Sequence, residues 1–257
     1  MRIGFAGAGN MAAAMARGWA GAKDGPEAML FADAGSGRAR ELAKEVRGEP
    51  AASLSEAAAS ADLLVLAVKR TALQEVAGEL EGSAPPLISV LAGVSLATIR
   101  EAFPGVPVLR VMPNLPVEVR HGVVCYVPPG EDFPSDLRED ALEMLNALGT
   151  VVAVEEDEID AATAVMSCSP AYVALVAEAL ARAGEDEDLD EGLAHELVVD
   201  ALAGTAELLR TRNPEAIWRA VASPGGATEA GLDALAERDL QAAVREAVQA
   251  SLDRMRE

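Results

Sequence analysis

From residue 2 to residue 154 the chain repeats one pattern: a short, nearly unbroken apolar run, then a longer stretch with helical spacing. The runs are RIGFA (2–6), AMLFA (28–32), LLVLAV (63–68), LISVL (87–91), VPVLRV (106–111), VVCYV (123–127) and VVAV (151–154). A strand that is apolar towards both sides has to be covered on both sides. A parallel sheet with helices on each face does this. RARELAKEV and TALQEVAGEL read as two of the covering helices. In DLREDALEMLNALG, Leu137, Leu142, Leu145 and Leu148 recur at helical intervals, and Gly149 is expected to close that helix. From about residue 156 the strands stop and helical patterning continues, interrupted at AGEDEDLDEG (183–192), RNPEA (212–216) and SPGG (223–226). The expected architecture is α/β: a mostly parallel sheet domain over residues 1–155, then an all-helical domain over 156–257, divided near EEDEID (155–160).

Charge narrows the partners. Lys and Arg number 21 against 42 Asp and Glu, a formal net charge of −21. Nucleic acid and anionic bilayers repel such a chain, so neither is expected as a partner. Lysine occurs only at Lys23, Lys44 and Lys69. The acidic run 185–191 reads as a solvated loop leading into the next helix. Cys125 and Cys168 match no metal or redox spacing. They are expected to be buried free thiols in a reducing cytoplasm, and no metal site is expected. The first strand starts at Arg2, leaving no room for a leader. AATAVMSCSPAYVALVAEALA (161–181) carries Ser167, Ser169, Pro170 and Glu178. It reads as a helix buried at a subunit interface rather than a membrane span.

The turn after the first strand gives the clearest chemistry. Gly7-Ala8-Gly9-Asn10-Met11-Ala12 fits G-x-G-x-x-A between a strand and a helix. The first glycine allows a tight turn, the second lets a pyrophosphate approach the backbone, and the small third residue lets helix and strand pack closely. Free amides at the helix start then face the phosphates. A dinucleotide is therefore expected here. Asp33 follows the second strand, where an acid suits the ribose hydroxyls of NAD, but Ser36, Arg38 and Arg40 follow at once and suit a ribose phosphate. The sequence leaves both nucleotides open.

Three further stretches lie where ligands bind. Ala67-Val68-Lys69 ends the third strong strand, at the edge of the sheet that holds ligands in open α/β folds. Met112-Pro113-Asn114-Leu115-Pro116 ends another strand in a loop stiffened by two prolines, with Asn114 offering both a donor and an acceptor. SPGGATEAGLDAL (223–235) is a glycine-rich turn opening a helix, whose amides suit an anion such as a carboxylate.

In this order, GFAGAGNMAAAMARG, ADLLVLAVK, ISVLAGVSL, RVMPNLPVEV, AVMSCSPAYV and SPGGATEAGLDAL resemble the pyrroline-5-carboxylate reductase family over nearly the whole chain. The resemblance implies a Rossmann-type nucleotide domain, then a helical dimerisation domain, as a homodimer that can assemble into a ring of dimers. It implies NAD(P)H-dependent reduction of a small cyclic imine, pyrroline-5-carboxylate, to L-proline, and it favours NADPH over NADH. On that basis Gly7, Gly9, Asn10 and Met11 would hold the pyrophosphate, Ala67, Val68 and Lys69 would lie along the cofactor, and Met112, Pro113 and Asn114 would border the nicotinamide. Ser223, Gly225, Gly226, Ala227 and Thr228 would cradle the substrate carboxylate across the dimer, with Thr228 nearest the imine nitrogen. A protonated imine already carries its electrophilic charge, so alignment matters more than a strong base. A neutral hydroxyl such as that of Thr228 can orient the nitrogen or relay a proton. His121 and His195 are left out of the catalytic reading.

The chain departs from the family pattern in four places. Leu115 replaces the usual Thr of MPNTP, Arg70 replaces a Pro after the lysine, Ser167-Cys168-Ser169 replaces a Gly-Ser-Gly or Gly-Ser-Ala run before PAY, and AGEDEDLDEGL replaces a Gly-Leu-Pro-like turn. Other readings keep the nucleotide site and change the rest: a deazaflavin-dependent NADP reductase, a reductase of a related cyclic imine, or a catalytically silent dinucleotide-binding regulator.

Overall fold

A computed structural model describes residues 1–256. They form two compact units, Met1–Cys168 joined by the end of the chain from Leu252, and Ser169–Ser251.

In the first unit, β1 (Arg2–Ala6), α1 (Asn10–Ala20), β2 (Ala28–Ala32), α2 (Arg38–Val46), β3 (Glu49–Pro50) and α3 (Leu54–Ala59) build one half of the sheet. The other half comes from β4 (Leu63–Leu66), α4 (Leu73–Glu79), β5 (Leu87–Ser89), α5 (Leu96–Ala102) and β6 (Val108–Pro113), then β7 (Gly122–Tyr126), α6 (Ser135–Asn146), β8 (Gly149–Ala153) and α7 (Ile159–Met166). The strand order is β3-β2-β1-β4-β5-β6-β7-β8, parallel throughout except for the antiparallel β6–β7 pair. The chain builds outward from β1 to β3, then returns to start again at β4 on the other side of β1. The crevice outside the carboxyl ends of β1 and β4 is therefore where a ligand of such a sheet binds.

The alternation of side chains along each strand explains the unbroken apolar runs. Leu63 and Val65 of β4 point into a core with Phe5, Met15, Trp19, Phe31, Leu42 and Leu145 on one face of the sheet. Leu64 and Leu66 point into a core with Val76, Leu87, Ile99, Phe103, Met112 and Ile159 on the other. Phe5 stacks on Phe31 at 4.8 Å between ring centroids, and the Trp19 indole donates to the Met144 carbonyl at 2.8 Å. The deepest apolar side chains thus lie directly beneath the strand that carries the glycine turn.

Several details differ from the sequence expectation. Gly149 does not cap α6, which ends at Asn146 with Ala147 as its cap. Gly149 instead opens β8 at φ +144, where a side chain would collide with the Gly122 carbonyl of the neighbouring strand. A close strand approach, not a helix end, requires the glycine there. β3 has only two residues and escaped the sequence reading. Cys125 is buried, and that burial pushes its thiol pKa up, whereas Cys168 is only partly buried. Helix α7, read as belonging to the second domain, groups with the first unit because Ile159 and Ala164 are fully buried there.

The second unit holds α8 (Ser169–Glu185), α9 (Glu191–Leu209), α10 (Pro214–Val221), α11 (Ala227–Glu237) and the start of α12 (Leu240–Arg256). Asp190 caps α9 through the amides of Gly192 and Leu193, and Asn213 caps α10 through that of Ala216. Among its described residues only Ala181 and Ala194 are buried apolar side chains. Val173, Leu175, Leu180, Leu193, Leu197 and Trp218 are all exposed.

Candidate active site

The glycine turn joins β1 to α1. Gly7 has φ +98, and a side chain there would press against the Ala67 carbonyl oxygen at 2.7 Å. That carbonyl cannot retreat, because the Ala67 amide is bonded to Ala6 at 2.9 Å. Gly9 differs: φ is −77, and a Cβ would meet only the Ala67 oxygen, at an ordinary 3.9 Å. Nothing within the folded chain requires Gly9 to be bare. Gly9 is also the N-cap of α1, with no side-chain cap and no acidic residue in the first turn. The opening amides of α1, at Asn10 and Met11, are left with the partial positive charge an anion seeks. An uncapped helix under an open glycine fits a pyrophosphate.

Beside it lies a cavity of about 210 Å³ lined in part by Ala6, Gly7, Ala32, Asp33, Leu54 and Val68. It opens at the carboxyl ends of β1, β2 and β4, the sheet's switch point. Asp33 stands at its rim with its carboxylate already engaged. Oδ1 accepts from the Gly35 amide at 2.9 Å, and Oδ2 accepts from the Ser36 hydroxyl at 2.6 Å and the Ala39 amide at 2.9 Å. Burial alone would raise its pKa, but these hydrogen bonds outweigh burial and hold it below the usual carboxylate range. Asp33 therefore fixes the turn into α2 with three of its acceptor sites, leaving Oδ1 a single further one. Arg38 and Arg40 are exposed, as is Lys69.

The carboxyl end of β6 is closed up. Met112 is buried in the core, and Asn114 is only 7% exposed. The Asn114 side chain spans two elements, accepting from the Val123 amide at 2.8 Å and donating to the Met166 carbonyl at 3.1 Å. Leu115, half exposed at 50%, opens the 3-10 turn Leu115–Val119.

In the helical unit, the Ser223–Thr228 loop is exposed apart from the half-buried Gly226. Gly225 adopts φ +71, the Gly226 amide donates to the Ser223 carbonyl, and Gly226 caps α11 without a side chain. Glu229 reaches back to accept the Gly225 amide at 2.7 Å. The amides left for an anion are those of Ala227 and Thr228, at the start of α11. The expected residues thus fall into two groups, Gly7 to Asn114 on the sheet edge and Ser223 to Thr228 at one helix end, each in its own unit.

Sequence reasoning missed Arg110, Glu156 and Glu229, and marked Ser167 only as part of a departure from the family pattern. Arg110 interrupts an apolar strand, and an arginine in a strand covered on both faces implies a buried partner. That signal was available.

The comparisons with known proteins decide the family. A family model described as pyrroline-5-carboxylate reductase dimerisation matches residues 156–257. A second, NADP oxidoreductase, coenzyme F420-dependent, matches residues 2–93. Pyrroline-5-carboxylate reductase of Synechocystis is 37% identical over 262 residues, spanning 100% of this chain and 98% of the relative.

The chain belongs to the pyrroline-5-carboxylate reductase family.

The solved structures agree with this. The Streptococcus pyogenes enzyme of that name superposes with a TM-score of 0.91 at 28% identity, covering 100% of this chain and 98% of that one. Plasmodium falciparum pyrroline carboxylate reductase with NADP bound gives 0.88 at 26% identity, covering 100% and 97%. The F420-dependent match stops at residue 93, so the deazaflavin-dependent alternative rests on the nucleotide half alone. As in other family members, a helical dimerisation domain follows the nucleotide domain.

Proposed function

We propose that this chain reduces pyrroline-5-carboxylate to L-proline with NAD(P)H, as a homodimer in the cytoplasm. Two features carry the reading: an uncapped, acid-free α1 terminus under the open Gly9, and kinship to named reductases over the full chain. The amides of Asn10 and Met11 hold the pyrophosphate, with Gly7 shaping the turn. Ala67, Val68 and Lys69 flank the cofactor, and the backbone of Met112, Pro113 and Asn114 borders the nicotinamide. Bound NAD(P)H supplies the hydride that adds to the carbon of the C=N bond, while the nitrogen keeps its proton. Thr228 orients that nitrogen, and the loop of Ser223, Gly225, Gly226 and Ala227 receives the substrate carboxylate across the dimer. In a chain of net charge −21, Lys69 and Arg70 supply local positive charge for the anionic cofactor.

Two structural points refine this proposal. The Asp33 carboxylate is committed to its own turn and to Ser36, while Arg38 and Arg40 stand exposed beside it, which favours the 2′-phosphate of NADPH. The helical unit buries only Ala181 and Ala194 among its apolar side chains, so the exposed faces of α8 and α9 need a second copy to cover them. A ring of such dimers is a further assembly in the same proposal. A related cyclic imine is the second reading, favoured by the exposed Leu115 beside the β6 end.

The test follows NAD(P)H absorbance with the purified protein, pyrroline-5-carboxylate and each nucleotide in turn. Rapid oxidation, faster with NADPH, is expected. Nucleotide binding without turnover of any cyclic imine would leave the silent regulator as the reading.

A further inference from the structure

Helix α7 is fastened to β6 near both of its ends by side-chain bonds. At its start, Arg110 of β6, with its side chain only 3% exposed, donates to Glu156 at 2.6 Å and to Asp160 at 3.3 Å. Glu156 also accepts the Leu96 amide at 2.9 Å. At the far end two bonds run in opposite directions. Asn114 donates its Nδ2 to the Met166 carbonyl at 3.1 Å, and Ser167 donates its hydroxyl to the Pro113 carbonyl at 3.0 Å.

Almost every polar group of this short segment is thereby engaged. The Asn114 amide donates to Val123, its Oδ1 accepts from the Val123 amide, and its carbonyl accepts from the Val117 amide. The Pro113 carbonyl is held by Ser167. Asn114 is buried, and both side-chain atoms are held, Oδ1 by the Val123 amide and Nδ2 by the Met166 carbonyl, so the carboxamide cannot swing towards a ligand without breaking one of them. The role left to it is to set where the backbone stands. Ser167 occupies a place where the family pattern has glycine, so the return bond to Pro113 depends on this chain's own side chain.

We propose that Asn114 and Ser167 form a reciprocal clasp that positions the Pro113–Leu115 backbone for hydride transfer, making both positioning residues rather than groups that touch the nucleotide. This rests on the imine-reductase reading above. A clasp of this kind acts on alignment, and a displacement near 1 Å at a reacting centre costs on the order of 100-fold in rate.

The experiment uses the full-length protein with Ser167→Gly and Asn114→Asp. Ser167→Gly removes one bond and restores the family's usual residue. Asn114→Asp keeps the acceptor for Val123 but turns an oxygen towards the Met166 carbonyl. Turnover, nucleotide affinity by fluorescence, Tm, and the primary isotope effect with nucleotide deuterated at the transferred position are measured together. Expected are a kcat loss of roughly 5-fold for Ser167→Gly and about 100-fold for Asn114→Asp, a nucleotide Kd within about 2-fold, and an isotope effect on kcat that rises as hydride transfer becomes limiting. A Kd that weakens in step with kcat, or a kcat that falls with Tm while the isotope effect stays put, overturns the clasp. So does unchanged turnover in both variants. If Asn114→Asp does not fold, Ser167→Gly alone decides. A wild type that binds nucleotide yet reduces no cyclic imine overturns the functional reading and the clasp together. An active wild type with unaffected variants overturns the clasp alone.

Discussion

Gly7 and Gly9 sit two residues apart in the same turn, and the structure assigns them opposite needs. Alanine at Gly7 would have to adopt φ +98 with its Cβ 2.7 Å from the Ala67 carbonyl oxygen. Backbone strain of that kind costs about 1–3 kcal/mol, and overlap in a packed region adds about 1–3 kcal/mol. The carbonyl lies next to the β1–β4 ladder and has little room to yield. A combined loss of roughly 2–6 kcal/mol lowers Tm by on the order of 10 °C for a unit of this size. Alanine at Gly9 meets no such barrier, since φ is −77 and the nearest atom lies 3.9 Å away. As an N-cap exchange it costs within about 1 kcal/mol. Its methyl group would stand where the proposal sets the pyrophosphate. Loss of two charge-assisted amide bonds, each worth about 1.5–3 kcal/mol, weakens nucleotide affinity by about 100-fold or more. Thermal unfolding without nucleotide, together with NADPH titration of both variants, reads the two effects separately. The reasoning fails if Gly9→Ala binds NADPH like the wild type, or if Gly7→Ala melts at the wild-type temperature.

Other outcomes follow from the same geometry. Thr228→Ala lowers kcat by about 100-fold with nucleotide Kd within about 2-fold, as steady-state kinetics beside a binding titration will show; parallel losses would make the loop structural. Asp33 titrates below the usual carboxylate range in the fold, so its contribution to stability is complete above about pH 4 and drains away as pH falls through the folded value. Acid unfolding of Asp33→Asn is therefore less steep below pH 4 than that of the wild type, and superimposable profiles would contradict this. Arg110→Met removes the cation from Glu156 and Asp160, which are 39% and 32% exposed, and destabilises the chain by about 1–3 kcal/mol in denaturant unfolding; an unchanged midpoint would contradict this.

The sheet was legible because its apolar runs are too short for helices and alternate with longer helical segments. β1 and β2 match their apolar runs residue for residue, and α2 matches RARELAKEV. What escaped is what pattern cannot encode. β3 is defined by its pairing with β2 and not by its own residues, Glu49 and Pro50. Gly149 looked like a helix stop because glycine after leucine-rich helix is the commoner signal, whereas its φ of +144 answers to a neighbouring strand. Asp33 sat at the position of a ribose acid, but the sequence could not say that Ser36 and the α2 amides would take its oxygens. Asn114 was noted for its donor and acceptor, yet both partners, Val123 and Met166, are distant in sequence.

The two ends of the nucleotide half are finished in opposite ways, and the contrast bears on mechanism. At the glycine turn, where the proposal sets the pyrophosphate, the chain withholds partners: α1 has neither a cap side chain nor an acid in its first turn, so its amides are open to an anion from outside. At the carboxyl end of β6, where the proposal sets the nicotinamide, the chain supplies partners itself, from Val117, Val123, Met166 and Ser167. Binding energy can be collected where the protein has left its own groups unpaired. Alignment has to be enforced where no group is free to move. A hydride acceptor that already carries positive charge needs the second far more than it needs a base, and a β6 terminus fastened to α7 by Asn114 and Ser167 suits that requirement in the proposed reaction.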